Sequence, residues 1–206
     1  SRHKYFTYTG EWVNGLKHGH GTLTMGDGST FEGTFVDGEI MGQGLRQWPD
    51  GRTYSGQFRR GEFHGEGIYR GLNGEKYEGQ FLDNKRHGEG ELVHTDGSIY
   101  RGTFDGHKKQ GPGTYTTATG DVFQGNFDQN ILREGTCNYS NGSKYEGQLD
   151  NFRRHGTGVF LDTTSNLEFT GEFTNNERRK WPQALQPADA VDGDVSLEVT
   201  ICSTIS

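Results

Sequence analysis

An aromatic residue opens a motif that recurs about every 23 residues along this chain of 206 residues. The first six copies start 23 residues apart, and the next two intervals are 22 and 24 residues. The copies begin at Tyr8, Phe31, Tyr54, Tyr77, Tyr100, Phe123, Tyr145 and Phe169. A fixed period over seven full copies and a partial eighth is typical of a solenoid-like array, in which each copy contacts its neighbours. Any binding site on such an array is expected on a surface that several copies share.

The composition by itself would favour a disordered chain, but the repeat argues against it. Leu, Ile, Val and Phe total 39 of 206 residues, and the mean hydropathy is -0.90. A share of these four residue types below about 20% of the chain usually indicates disorder. The 34 glycines and the aromatic residues recur at fixed offsets, however, which a disordered linker has no reason to keep. The sequence therefore predicts a folded chain with a thin core.

Each copy is predicted to be a β-hairpin. We number a copy from its opening aromatic residue as position 0. Positions 0, 2 and 4 read Tyr/Phe, Gly and Trp/Phe, as in Tyr54-Gly56-Phe58, and positions 1 and 3 are polar. This alternation indicates a strand with one aromatic and one polar face. Turn residues at positions 5–10 and a second strand opened by glycines at positions 11 and 13 complete the hairpin. An Asp/Asn-Gly turn such as Asp50-Gly51 leads to the next copy, which we expect to pair edge to edge with it.

The glycine at position 2 lies on the aromatic face of its strand. Glycine weakens strand interiors, so its regular use there indicates close approach by a large group. We expect neighbouring aromatic rings to lie flat over these glycines.

The motif resembles the MORN (membrane occupation and recognition nexus) repeat. The matching features are YxGxW/F, NGxxHGxG and a following DG, as in YTGEWVNGLKHGHGTLTMGDGST from Tyr8. The resemblance covers residues 8–180 and implies an all-β fold: an elongated, twisted, single-layer antiparallel sheet with a grooved face. Two strands per copy give a length of roughly 70 Å. The predicted organisation is an N-terminal flank at 1–7, the array at 8–180 and an acidic linker with an amphipathic strand pattern at 181–206.

Two copies depart from the motif. In the sixth, Arg133 aligns with the glycine expected at position 11 and one residue is lost. In the seventh, Leu149 replaces the aromatic residue at position 4 and the Asp-Gly turn is missing. We therefore expect an irregular bend or twist in residues 130–168, and a capping role for the partial copy that begins at Phe169.

Several classes of function are not supported by the sequence. The net charge of -7 lacks the basic excess of a duplex-binding domain, and no apolar run reaches the roughly 18 residues of a membrane-spanning helix. Histidines recur at position 10, but one repeat advances about 9.6 Å, whereas zinc ligands lie about 2 Å from one ion. These histidines are His18, His64, His87 and His155, which we interpret as turn residues. The glycines precede strands rather than the helix of a phosphate loop, and no catalytic constellation is apparent. We predict no enzyme activity, cofactor, metal or nucleic-acid partner.

The aromatic face is the predicted binding surface. A single sheet cannot bury its own apolar face, and exposed apolar patches usually mark interaction sites. We expect a groove that accepts a protein segment, as an amphipathic helix or an extended peptide. Its predicted lining is Trp48, Phe58, Tyr69, Phe81, Leu92, Phe104 and Tyr115. The alternative is that twist and ring-on-glycine packing already close this face.

Basic residues recur near the predicted first turn and suggest a second reading. They are Lys85, Arg86, Lys108, Lys109, Arg153 and Arg154. Stacked in register, they would form a broken basic edge for anionic phospholipid; the alternative is that they are ordinary solvated residues.

The resemblance to MORN repeats implies a cytoplasmic scaffold in cytoskeletal, ciliary or membrane-associated assemblies, or a regulatory segment of a larger enzyme. In the tail, Val195, Leu197, Val199 and Ile201 alternate with polar residues. This segment is predicted to cap the array, enter the groove, pair with another chain or stay disordered. Two open sheet edges leave the oligomeric state undecided.

Overall fold

The computed structural model describes residues 7–179 as one antiparallel sheet. Sixteen strands lie in chain order, each hydrogen-bonded to the next. The strands are β1 Thr7–Val13, β2 Leu16–Thr24, β3 Thr30–Val36, β4 Glu39–Gln47, β5 Thr53–Arg59, β6 Glu62–Arg70, β7 Lys76–Leu82, β8 Lys85–Val93, β9 Ile99–Asp105, β10 Lys108–Thr116, β11 Val122–Asp128, β12 Ile131–Asn138, β13 Lys144–Asp150, β14 Arg153–Asp162, β15 Leu167–Thr174 and β16 Glu177–Arg178. One 3-10 turn, Leu72–Gly74, joins β6 to β7. The predicted all-β fold of tandem hairpins paired edge to edge is confirmed.

The first turn of each hairpin is shorter than predicted. Val13 pairs directly with Leu16, so only Asn14 and Gly15 form the turn, with positive φ values of 49° and 76°. Positive φ at both central residues is the requirement of a type I′ hairpin turn. The second strand therefore begins at position 8, not at the glycines of positions 11 and 13. The interpretation of the histidines at position 10 as turn residues was wrong, because His18, His64 and His87 lie inside β2, β6 and β8, and His155 lies inside β14.

The glycine at position 11 forms a bulge in the second strand. Gly10 pairs with Gly21, but the next residue, Glu11, pairs with His18, so the second strand carries two more residues than its partner. Gly19 within this bulge has φ +61°, and the Glu11 carboxylate lies where its side chain would be. Glycine is therefore required at Gly19 by its left-handed backbone as well as by the lack of space.

Rings lie over the glycines of position 2, where we expected them, and also over the glycines of position 13. A Cβ atom added to Gly67 would lie 2.5 Å from Oη and 2.6 Å from Cε2 of Tyr54. The Tyr54 hydroxyl reaches across the bulge and donates to the carbonyl oxygen of Gln57 at 2.8 Å. The ring therefore packs on the glycines, and its hydroxyl donates to a backbone carbonyl of its own strand next to the bulge.

The core is a continuous row of aromatic rings along one face of the sheet. Within a copy, the ring at position 0 meets the ring at position 4 edge-on, as Tyr54 meets Phe58 at 5.0 Å. The same ring also meets position 4 of the following copy, as Tyr54 meets Phe81 at 5.1 Å. Edge-to-face contacts at this separation are favourable for aromatic pairs. The row is buried, and its members include Phe31, Phe35, Tyr54, Phe58, Tyr77, Phe81, Tyr100, Phe104, Phe123, Phe127 and Tyr145. A single layer thus closes much of its own aromatic face.

The sixth copy keeps the sheet but changes the bulge. Gly125 pairs with Gly135 and Phe127 pairs with Leu132, which leaves the second strand one extra residue instead of two. β12 is accordingly eight residues long, whereas β10 has nine. Strand pairing continues through β13 and β14, and the bend expected in residues 130–168 stays a prediction.

The proposed domain boundaries lie partly outside the described residues. The array is described from β1 to Arg179. The tail at 181–206, its alternating pattern and most of the flank at 1–7 fall outside residues 7–179, so their predicted roles stay predictions.

Candidate functional site

The seven residues predicted to line a groove divide into two groups. Four of them are buried members of the core: Phe58, Phe81, Leu92 and Phe104. Phe58, Phe81 and Phe104 are covered because each ring at position 4 is enclosed by rings of its own and the preceding copy, and Leu92 belongs to the same core. Trp48, Tyr69 and Tyr115 are half-buried and pack against this core from its margin. Of the seven residues, these three offer contact area to a partner.

An open pocket lies next to Trp48 and Tyr69. It has a volume of about 360 Å³. The Trp48 ring lies 6.0 Å from Phe63 and 6.4 Å from Tyr69, measured between ring centroids. Its lining consists of Trp48, Arg52, Phe63, Tyr69, Glu75, Tyr77, Phe81, Asn84, Arg86 and His107. A concave, mainly aromatic pocket with a few polar groups is the usual form of a binding site. We call it the Trp48 pocket.

Phe63 forms the floor of the Trp48 pocket, and sequence analysis missed it. It occupies position 9, where its ring stacks on Tyr54 with centroids 3.8 Å apart and planes 7° from parallel. The signal was present in the sequence. Position 9 is apolar in three copies, at Ile40, Phe63 and Leu132, whereas other copies have a basic residue there, such as Lys17 or Arg86. Our placement of position 9 in a turn concealed that it belongs to the aromatic face.

Two arginines flank the outer ring of the Trp48 pocket. The guanidinium carbons of Arg46 and Arg52 lie 4.9 and 5.3 Å from the Trp48 ring centroid. Arg52 Nε also donates to Asp50 Oδ2 at 2.8 Å. Cations over an aromatic face are attracted by the ring quadrupole, so these contacts hold Trp48 in place while leaving it half-buried.

The six predicted lipid-binding residues do not form one basic edge. Arg86, Lys109 and Arg154 occupy position 9 and lie over rings of the aromatic face. Lys85, Lys108 and Arg153 precede them at position 8 and are exposed. Successive side chains of a strand point to opposite faces, and the second strand already includes both positions. Three of the six cations thus lie on each face of the sheet, and their predicted role in lipid binding stays a prediction.

Lys109 lies between two tyrosines. Its Nζ is 5.0 Å from the Tyr100 ring centroid and 4.5 Å from that of Tyr115. Burial, with a smaller contribution from the positive charge of Arg86, lowers the pKa of Lys109 to about 8. Burial and Lys109 likewise lower the pKa of His94. This part of the face is thus partly desolvated and electropositive.

A phenylalanine from a distant turn covers Tyr115. The Phe152 ring stacks on Tyr115 with centroids 4.6 Å apart, and it contacts Phe123 at 5.1 Å. Phe152 is the second residue of the turn between β13 and β14, where the preceding copies carry glycine, asparagine or histidine, such as Gly61, Asn84 and His107. The groove expected from Trp48 to Tyr115 is therefore partly filled at its Tyr115 end by the Phe152 ring. An aromatic residue at a turn position was the signal that sequence analysis passed over.

The polar face carries histidine–aspartate contacts between copies. Nδ1 of His64 lies 3.6 Å from Asp83 Oδ1, and Nδ1 of His87 lies 3.4 Å from Asp105 Oδ1.

Within residues 7–179, no group of three His, Cys, Asp or Glu residues is placed to hold a metal ion. Burial raises the pKa of the Cys137 thiol to about 12, which disfavours the reactive thiolate. Residues 7–179 contain no helix that could span a membrane.

Comparison with known proteins identifies the repeat. The family model described as MORN repeat matches residues 8–30, 31–51, 54–76, 77–99, 100–122 and 145–166. It leaves out the sixth copy, whose bulge differs. No curated protein sequence matches the chain.

Two solved structures show weaker similarity. The TCP domain of Drosophila melanogaster SAS-4 (dCPAP), in complex with a proline-rich motif of Ana2 (dSTIL), is 12% identical with a TM-score of 0.47, over 76% of this chain and 85% of that one. The TCP10 domain of Danio rerio CPAP, in complex with a peptide of Danio rerio STIL, is 14% identical with a TM-score of 0.33, over 81% and 84%. The six family matches cover most of the chain and coincide with the hairpins described above. The chain belongs to the MORN-repeat family.

Proposed function

We propose that this array is a non-catalytic scaffold that binds a protein segment in the groove on its aromatic face. The observation that carries the proposal is the Trp48 pocket, which is open on a face whose rings are otherwise largely buried. The pocket combines a stacked floor at Phe63 with half-buried walls at Trp48 and Tyr69. Trp and Tyr are the residue types most enriched at the energetic centres of protein interfaces.

The size of the pocket suits one large side chain of a partner. An aromatic side chain carries about 150–250 Å² of surface, and burial of apolar surface contributes about 25 cal/mol per Å². A single anchoring residue thus offers a few kcal/mol before the costs of association. A helix or an extended peptide could present this residue, since both use regularly spaced anchors.

The cellular setting is a further part of the proposal. We place the protein in the cytoplasm, in cytoskeletal, ciliary or membrane-associated assemblies, as the family resemblance implies. A regulatory segment of a larger enzyme is compatible with the same groove. Anionic phospholipid is the weaker alternative partner, because the basic residues that suggested it divide between the two faces of the sheet.

The test compares two substitutions in adjacent residues of β6. Tyr69→Glu places a charge at the wall of the Trp48 pocket, whereas Ile68→Glu places the same charge on the opposite face. Both variants and the unmodified chain are immobilised after circular dichroism has shown that they are folded, and the captured proteins are identified by mass spectrometry. We expect a set of proteins that Tyr69→Glu loses and Ile68→Glu retains. Identical capture by all three chains would contradict the proposal.

A further inference from the structure

The aromatic face gathers positive charge in a chain that is negative overall. Among residues 7–179, seven cationic side chains lie over its rings: Lys17, Arg46, Arg52, Arg86, Lys109, Arg154 and Arg178. The whole chain has a net charge of -7. Such a separation of charge makes the groove attractive to a partner of opposite sign, independently of the apolar contacts.

Several of these cations have no carboxylate beside them. Arg52 is paired with Asp50 at 2.8 Å, and Arg86 is paired with Glu75 at 3.6 Å. In the part of the chain from residue 7 to 179, Lys109 and Arg154 have no carboxylate oxygen within 4.0 Å. Lys109 is the more informative of the two, because it is half-buried on the groove that begins at the Trp48 pocket, with its Nζ between the Tyr100 and Tyr115 rings.

The surroundings of Lys109 favour an incoming anion. The charged and titratable groups that act on it are Arg86 from β8 and Asp96 from the turn after β8, and His94 lies against the same Tyr115 ring. Burial and Arg86 lower the pKa of Lys109 to about 8. Burial, Arg86 and Lys85 also lower the pKa of His107, which lines the Trp48 pocket. A carboxylate placed here would offset the cost of desolvating Lys109.

The repeat fixes the spacing between the cations. Arg86 and Lys109 occupy position 9 of successive copies, so their backbones lie about 9.6 Å apart. Residues i and i+7 of an α-helix are separated by about 10.5 Å. In an extended chain, residues on one face are separated by about 7 or 13 Å, because successive side chains point to opposite faces. The helical spacing is therefore the one that can align two carboxylates with the two cations.

We propose that the groove recognises an acidic amphipathic protein segment, which inserts a large apolar side chain into the Trp48 pocket and sets carboxylates against Arg86 and Lys109. This inference rests on the proposed function and adds the chemistry of the partner. Charge complementarity is the reason for choosing an acidic segment over a neutral or basic one.

The test is selection from a phage-displayed library of random peptides long enough to span two repeats. The bait is the whole chain at physiological ionic strength. A second selection uses the doubly charge-reversed variant Arg86→Glu/Lys109→Glu, and a third uses Lys85→Glu/Lys108→Glu, which makes the same change at exposed residues of the opposite face. Each bait is first shown to be folded by circular dichroism. We expect peptides rich in Asp and Glu with a large apolar residue from the first and third baits, and basic peptides from the second. An acidic peptide should bind the second bait about tenfold more weakly or worse, since its carboxylates would then face glutamates of like charge.

The outcomes separate this inference from the proposed function. Selected peptides that bind at the Trp48 pocket but are neutral or basic would overturn the acidic partner. They would still support the groove as a binding site. If no selected peptide loses binding in the Tyr69→Glu variant, both the acidic partner and the proposed binding groove are overturned. Vesicles of phosphatidylserine and phosphatidylcholine serve as a competitor. Displacement of the acidic peptide by these vesicles, lost in the Arg86→Glu/Lys109→Glu variant, would assign the cations to lipid instead and overturn the inference.

Discussion

At the scale of residues, this fold depends on pairs formed by one ring and the glycines beneath it. Tyr54 lies over Gly56 and Gly67, and its hydroxyl binds Gln57 O across the bulge. The ring supplies apolar contact, the glycines supply space, and the hydroxyl satisfies a backbone carbonyl. This division of roles explains why a chain with few aliphatic residues can be folded.

Gly67→Ala tests this pairing. The new Cβ would lie 2.5–2.6 Å from Tyr54 atoms, so the ring must move and its contacts with Phe58 and Phe81 weaken. We expect the free energy of unfolding to fall by about 1–3 kcal/mol, as for an overpacked core, measured by urea denaturation. Gly71→Ala is the matched control, because its nearest neighbour, Glu75 Cβ, is 3.2 Å away. Equal stability of the two variants would show that the ring does not need the glycine.

Lys109 gives a prediction about pH. Its pKa is lowered from 10.5 to about 8 in the folded protein, so between these values the unfolded chain binds more protons than the folded one. Lys109 therefore contributes a rise in the free energy of unfolding between pH 8 and 10.5, which is small because Lys109 is partly exposed to solvent and is opposed there by the fall that Cys137 contributes. We expect Lys109→Met to flatten this rise, whereas Lys108→Met, at the exposed neighbouring residue, should leave it unchanged. A rise of the same size in both variants would refute the assignment to Lys109.

At the scale of elements, the hairpins were predictable and their turns were only partly so. Alternation in Tyr54-Gly56-Phe58 identified the first strand, and the Asp50-Gly51 turn marked its start. The beginning of the second strand was placed too late, because basic residues and histidine at positions 8–10 have turn-like composition. Their place in a strand follows from the two-residue turn at Asn14 and Gly15, whose sequence alone already favours a tight hairpin.

Long-range contacts between elements lay beyond the sequence. Phe152 belongs to the turn after β13, yet its ring stacks on Tyr115 of β10. The sequence shows that residue 152 is aromatic, but it does not show which strand of the sheet the Phe152 ring contacts. The Trp48 pocket was equally hard to predict. It forms where one copy has Phe63 at position 9 and the next copy has Arg86 there.

Phe152→Ala tests the contact between these elements. The substitution removes ring contacts with Tyr115, Phe123 and Phe127. Because Phe152 is half-buried, we expect a loss of about 1–3 kcal/mol in the free energy of unfolding, below the range for fully buried phenylalanine. Leu82→Ala, at an exposed strand residue, should change stability by less than about 0.5 kcal/mol. A loss no greater than in this control would mean that the stacking contributes little.

At the scale of the whole molecule, the strands follow chain order from β1 to β16. Every copy contacts mainly the copies before and after it, so stability should be distributed along one dimension. The ends have neighbours on one side only. β1 leaves Trp12 56% exposed, and β16 pairs with β15 through two residue pairs.

Native-state hydrogen exchange should reflect this arrangement. We expect the slowest exchange for backbone amides in β5–β8, where rings of neighbouring copies enclose one another, and the fastest for β1, β15 and β16. The measurement is exchange followed by mass spectrometry of peptides along the chain. Uniform protection from β1 to β16 would indicate a single cooperative unit and contradict the nearest-neighbour description.

The most direct test of the binding groove is site-specific photocrosslinking in β6. A benzophenone amino acid replaces Tyr69 in one chain and Ile68 in another, so that the probes face opposite sides of the same strand. We expect covalent adducts with a partner protein from position 69 and none from position 68, with the crosslinked peptide of the partner identified by mass spectrometry. Adducts from position 68 alone, or equally from both positions, would contradict the assignment of the aromatic face as the binding surface.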